Sequence, residues 1–117
     1  MSRNWLLYLD DLIASAEKIS RFVTGQTLES LIADEALFDA VLFNLQVIDE
    51  AIKKLPEEVR ESVPGMSGAG PARLRDLIAH HYFAVDAEII WGVATEHVPQ
   101  LLAAARVLRD RVDREGK

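Results

Sequence analysis

The stretch Trp5-Leu-Leu-Tyr-Leu-Asp-Asp-Leu-Ile-Ala-Ser-Ala-Glu-Lys-Ile-Ser-Arg-Phe-Val23 decides the fold class. Trp5, Tyr8, Leu9, Leu12, Ile13, Ala16, Ile19 and Val23 recur at steps of three and four, which lays one apolar stripe along an α-helix. No segment of the chain alternates convincingly as a strand. A helix over residues 4–23 follows, and Gly25 stops it, with Thr24 and Gln26 in the turn.

The same period continues down the chain. Thr27 is an N-cap candidate for a short turn carrying Leu28, Leu31 and Ile32. Asp34 can cap a long helix that aligns Leu37, Val41, Leu45, Ile48, Ile52 and Leu55 on one side. Pro56 breaks that helix and can open another turn through Val63, since proline is tolerated at a first helical position. Pro64-Gly-Met-Ser-Gly-Ala-Gly-Pro71 is the one clear loop. It separates two helical hairpins rather than two domains, because neither half has enough apolar area to stand alone. A further helix should start near Ala72 and run past Arg75 and His80. Asp86 looks like the cap of a segment through Trp91, and Pro99 should open a last helix ending in Arg109, Arg111 and Arg114. The expectation is an all-α, up-and-down bundle of four main helices plus short turns, a single domain over residues 1–117.

Composition bounds the function. Of 117 residues, 50% are hydrophobic and 27% charged, enough apolar content for a core and too much for wholesale disorder. No apolar run approaches the roughly 18 residues that would cross a bilayer, and Met1-Ser2-Arg3-Asn4-Trp5 lacks a signal peptide's apolar stretch, so a cytoplasmic protein is expected. With no cysteine there is no disulfide framework, thiolate zinc site or cysteine nucleophile. A net charge of −6 means that any nucleic-acid contact must be local.

The densest concentration of chemically versatile side chains is Leu74-Arg-Asp-Leu-Ile-Ala-His-His-Tyr-Phe83. On an ideal helix, at 100° per residue, Arg75 and Tyr82 lie almost on one line, whereas Arg75 and His80 are about 140° apart. Asp76 and His80, four apart, share a face and could hydrogen-bond. Either the helix ends or distorts near His80, or two chains meet so that His80 of one faces Arg75 of the other, as a two-fold dimer does naturally.

Arg75, four residues, His80, one residue and Tyr82 resemble the Arg-x4-His-x-Tyr signature of the HepT-like toxins of the HEPN superfamily. The flanks are similar too. Asn44 through Ala51 (Asn-Leu-Gln-Val-Ile-Asp-Glu-Ala) resembles that family's Asn-Leu-x-x-Ile-Gly-Glu-Ala segment, and Tyr82-Phe-Ala-Val-Asp86 with Ile90-Trp91 resembles the stretch after its motif. Two positions depart from the pattern: Asp76 stands where Asn is common, and Asp49 replaces the glycine.

The resemblance implies an HEPN-like bundle acting as a homodimeric endoribonuclease toxin that needs no metal or other cofactor. Arg75 and His80 would be catalytic and Asp76 supporting. A minimal nucleotidyltransferase antitoxin would neutralise it by attaching AMP to Tyr82. The residue types suit that chemistry. Histidine can take a proton from a ribose 2′-hydroxyl near neutral pH, and arginine holds a permanent planar charge for phosphoryl oxygens. Asp76 stays open between orienting His80 and acting as a first-turn acid. The other reading is a non-catalytic helical dimer that binds a nucleotidyltransferase.

Other groups read plainly. Gly65, Gly68 and Gly70 have no preceding strand and no following Gly-Lys-Ser/Thr, so they form a connection rather than a phosphate loop. His81 takes the variable slot and faces solvent. His97 has no ligand partner at i+4. Asp10/Asp11 and Asp49/Glu50 are adjacent pairs pointing different ways, not catalytic dyads. Arg106, Arg109, Arg111 and Arg114 read as a solvated helix end.

Overall fold

A computed structural model describes residues 4–62 and 87–115. In chain order these form α1 (Trp5–Val23), α2 (Leu28–Ala33), α3 (Glu35–Lys54), α4 (Glu57–Glu61), α5 (Ala87–Gly92), a π-helical turn (Val93–His97) and α6 (Val98–Glu115). The described residues contain no strand, and the fold is all-α as the periodicity requires. The glycine-rich loop, the helix expected from Ala72 and the Asp86 cap lie outside the described residues.

Local chemistry sets the helix ends. The Thr24 hydroxyl and amide both donate to the Ser20 carbonyl, and Gly25 turns the chain away with φ of 77°, a backbone state open to glycine at little cost. Thr27 and Ser30 form a reciprocal capping box: the Thr27 hydroxyl accepts from the Ser30 amide at 3.1 Å, and the Ser30 hydroxyl accepts from the Thr27 amide at 2.8 Å. The Asp34 carboxylate accepts from the Leu37 amide at 3.0 Å and opens α3. Pro56 sits at the N-cap of α4, one position earlier than its expected first-turn place.

The core gathers around α1, which packs against α3 on one flank and α6 on the other. Leu9, Leu12, Ala16 and Ile19 of α1 are fully buried, facing Val41, Leu45 and Ile48 of α3 and Ala105 and Leu108 of α6 in one apolar cluster. Tyr8 departs from the expected stripe. It lies at the edge of the α1–α3 contact and is 38% exposed. The α3 face forms as expected, with Val41, Leu45, Ile48, Ile52 and Leu55 buried and Leu37 half-buried. α2 closes one side, packing on α5 and α3.

The last element differs from its reading as two separate segments. α5, the π-helical turn and α6 follow one another without a break. The Val98 amide donates to the Val93 carbonyl, five residues back. Pro99 explains the widened turn: it has no amide hydrogen, and in α-geometry its ring would strike the carbonyl four residues earlier. The proline is absorbed, and the rod continues.

No helix among the described residues is long and apolar enough to cross a membrane. Leu45 is fully buried at the centre of α3, so Leu45→Ala should lower unfolding free energy by about 2–5 kcal/mol in urea titration. An effect under 1 kcal/mol would show that this face of α3 is not the core.

Candidate functional site

Arg75, Asp76, His80 and Tyr82 all lie outside the described residues, so the geometry on view is that of the two flanking segments. The first of these, Asn44–Ala51, is the middle of α3. Its helical phase divides it sharply. Leu45, Ile48 and Ala51 enter the apolar core, and two polar side chains, Asn44 and Asp49, are buried beside them at 5% and 6% exposure. Glu50 points outward.

Each buried polar group has a local partner. The Asn44 side-chain amide donates to the Ala40 carbonyl, one turn back, at 2.8 Å. The Lys53 ammonium lies 3.2 Å from an Asp49 carboxylate oxygen and 3.5 Å from Glu50. Burial alone would be costly for a carboxylate, and a cation at i+4 offsets that cost. The hydrogen bond to Asp49 and then its charge push the Lys53 ammonium above the ordinary value of 10.5, with Glu50 adding to the effect. These buried polar positions were missed by reading the hydrophobic stripe alone. Their signal is positional: Asn44 lies three residues after Val41, and Asp49 four after Leu45, so both fall on the core side of the helix.

In the second flank, Ile90 is buried and Trp91 half-buried, both packed in the core cluster. The Thr95 hydroxyl donates to the Trp91 carbonyl at 2.7 Å, within the π-helical turn. Glu96 and His97 are exposed, and no group of three or more metal-ligating side chains occurs among the described residues.

Three of the four C-terminal arginines have partners that the reading as a solvated end did not supply, while Arg114 is exposed as read. Arg106 reaches Glu17 at 2.8 Å, and Arg109 reaches Asp10 at 3.0 Å and Asp113 at 3.3 Å. Arg111 donates to the Ser62 hydroxyl at 3.4 Å. Because the later arginine meets the earlier acid, α6 runs antiparallel to α1. The acids at 10 and 17 are seven apart and form one stripe for α6, whereas Asp11 turns toward α3. Asp10 and Asp11 diverge as helical geometry requires, whereas Asp49 and Glu50, one buried and one exposed, both reach the Lys53 ammonium.

A family model described as "Ribonuclease HepT-like" matches residues 12–108. The chain belongs to the HepT-like ribonuclease family. Among its relatives, "Putative RNase MJ0127" of Methanocaldococcus jannaschii is 37% identical over 92 residues, 79% of this chain and 76% of that protein. "Probable ribonuclease HepT" of Thermococcus cleftensis is 31% identical over 109 residues, 93% of this chain and 99% of that protein. A longer M. jannaschii protein, "Gamma-glutamylcyclotransferase and putative RNase MJ0434", is 29% identical across 97% of this chain, which spans only 51% of it. No solved structure gives a significant match. The HepT-like match takes in both flanking segments and positions 75–82 between them.

The Asp49–Lys53 pair gives a pH test. A lysine raised by its partner adds stability that is complete below its ordinary value of 10.5 and disappears as pH climbs through the raised one. Asp49→Asn should therefore bring the Lys53 side-chain titration down toward the ordinary range in NMR and make alkaline stability loss shallower. An unchanged Lys53 titration would show that the pair does not form.

Proposed function

We propose that this member of the HepT-like ribonuclease family is a metal-independent endoribonuclease toxin acting in the cytoplasm, a single HEPN-like helical domain paired as a homodimer. The observation that carries the reading is the spacing Arg75-x4-His80-x-Tyr82 inside the residues that the family model matches. Similarity to proteins named as ribonucleases along most of the chain supports the substrate class.

His80 takes the proton of a ribose 2′-hydroxyl as its oxygen attacks the adjacent phosphorus. The bond to the 5′-oxygen breaks, and that oxygen takes up a proton, leaving a 2′,3′-cyclic phosphate and a free 5′-hydroxyl. Arg75 neutralises charge on the crowded phosphoryl oxygens. Asp76, one helical turn before His80, orients the imidazole by accepting from its other nitrogen. On an ideal helix Arg75 and His80 diverge by about 140°, which favours a site shared across a two-fold axis over one within a single chain.

Control rests on Tyr82. A minimal nucleotidyltransferase antitoxin directs the tyrosine oxygen onto the α-phosphorus of ATP, forming a tyrosyl-AMP ester and releasing pyrophosphate. The added phosphodiester carries negative charge and the adenine is large and flat. Seven residues from Arg75, the group lies over the arginine and occupies the place of a substrate phosphate.

Purified protein should cleave RNA with undiminished rate in EDTA. His80→Ala and Arg75→Ala should each lose activity by 100-fold or more, roughly the scale of losing a base or a transition-state charge, with unchanged circular dichroism. Chelation that abolishes cleavage, or a His80→Ala protein at full rate, would overturn the mechanism. If the wild-type chain cuts no RNA and arrests no growth, it is instead the non-catalytic partner of a nucleotidyltransferase.

Tyr82→Phe keeps the ring and removes the acceptor oxygen. Co-expressed with the antitoxin it should stay toxic and gain no mass, whereas the wild-type chain gains about 329 Da for each adenylyl group. A Tyr82→Phe protein that still gains this mass places the acceptor elsewhere. One that gains nothing yet is fully neutralised makes tight binding, rather than modification, the means of control.

A further inference from the structure

Phe43 is 62% exposed at the middle of α3, an unusual place for a phenyl ring on a helix whose opposite face builds the core. Beside it is a shallow groove of about 330 Å³ between α1 and α3, lined by Tyr8, Asp11, Phe43, Gln46, Val47, Glu50 and Ala51. On a helix, Asp39, Phe43, Gln46, Val47, Glu50 and Lys54 fall within about 100° of arc, so they form one outward stripe about 22 Å long. Asp39, Phe43, Glu50 and Lys54 are exposed, and Gln46 and Val47 half-buried.

The order of chemistry along this stripe is self-complementary. It has an acid at one end and a base at the other, with Phe43 and Val47 as the apolar groups between them and Gln46 and Glu50 alongside. If a second α3 lies antiparallel across it, centred between Gln46 and Val47, residue i meets residue 93 − i of the other copy. Asp39 then faces the partner's Lys54, and Lys54 faces the partner's Asp39. Phe43 falls opposite the partner's Glu50, beside the partner's Val47, over the groove that the partner's Ala51 floors. Neither Asp39 nor Lys54 has an ion-pair partner within the chain among the described residues. RNA fits this surface poorly, because Asp11, Asp39 and Glu50 would face its phosphates.

We propose that this stripe of α3 is the two-fold seam of the homodimer, with Phe43 of each copy seated in the α1–α3 groove of the other. The occupant is a second copy of this chain, because reversing the stripe on itself matches both ends at once. An isologous contact of this kind closes on itself and leaves no open edge. The inference rests on the homodimer of the proposed function and adds where its axis runs.

Light scattering at micromolar concentration should give a dimer for the wild-type chain and a monomer of unchanged circular dichroism for Phe43→Glu. Asp39→Lys should weaken the dimer by setting like charges opposite each other at both ends, and adding Lys54→Asp should restore it. The chain has no cysteine, so Gln46→Cys introduces a sole thiol next to the axis. Mild oxidation should join two copies through it, whereas Ala103→Cys, exposed on α6, should stay single. A wild-type dimer that survives Phe43→Glu and whose Gln46→Cys form does not cross-link would place the seam on another face and leave the homodimer standing. A wild-type monomer would overturn both.

Discussion

The burial of α1 on two flanks at once is the constraint from which the rest of the described structure follows. Leu9, Leu12, Ala16 and Ile19 have no exposure because α3 covers one side of the stripe and α6 the other. Ser15 is buried beside them, at 5% exposure. Large side chains alternate with small Ala16 and Ser15 along this line, which lets neighbouring helices approach closely. With α1 sealed in this way, every charge it carries is displaced to an edge.

Those edges are not equivalent. Asp10 and Glu17 lie toward α6, where Arg109 and Arg106 meet them, whereas Asp11 lies toward α3. Such partly exposed pairs contribute only about 0–1 kcal/mol each, so their importance is in orientation more than stability. They hold α6 antiparallel to α1. They also give the two arginines carboxylate partners, which leaves their charge less open to phosphate. In a chain of net charge −6, cations for a nucleic acid must be concentrated locally. That is consistent with giving the phosphate-binding task to a single arginine in the proposed motif.

On α3 one helix serves three environments. Val41, Leu45, Ile48 and Ile52 point to the core, Asn44 and Asp49 are drawn in with them, and Phe43 and Glu50 remain outside. The family-like segment at 44–51 therefore contributes to the interior and the surface in alternate thirds of a turn. The buried Asp49 also shows what its departure from the family's glycine does here: it brings a carboxylate inside, held by Lys53 across one helical turn.

Periodicity made the helices legible. Steps of three and four, Thr27 and Asp34 as caps, Gly25 as a stop and Pro56 as a break all act through neighbours within four residues, and a sequence displays such neighbours directly. The chemical repertoire of Arg75, His80 and Tyr82 was legible in the same way, as residue types at a fixed spacing; their placement belongs to residues outside those described. What local pattern could not supply was decided by contacts distant in the chain. Tyr8 fits the α1 stripe yet stays at the rim of the α1–α3 groove because the buried line of α1 runs through Leu9 and Leu12 beside it. Arg106 and Arg109 read as solvated; Arg106 stays exposed, yet a helix 89 residues away in sequence supplies it with Glu17, and the same helix supplies Arg109 with Asp10 two turns earlier. Pro99 reads as a helix start, but tertiary packing of Val93, Val98 and Leu101 on both sides of it keeps the rod continuous. The backbone then yields a π-helical turn in place of a break, because losing that buried apolar contact would cost more than one widened turn.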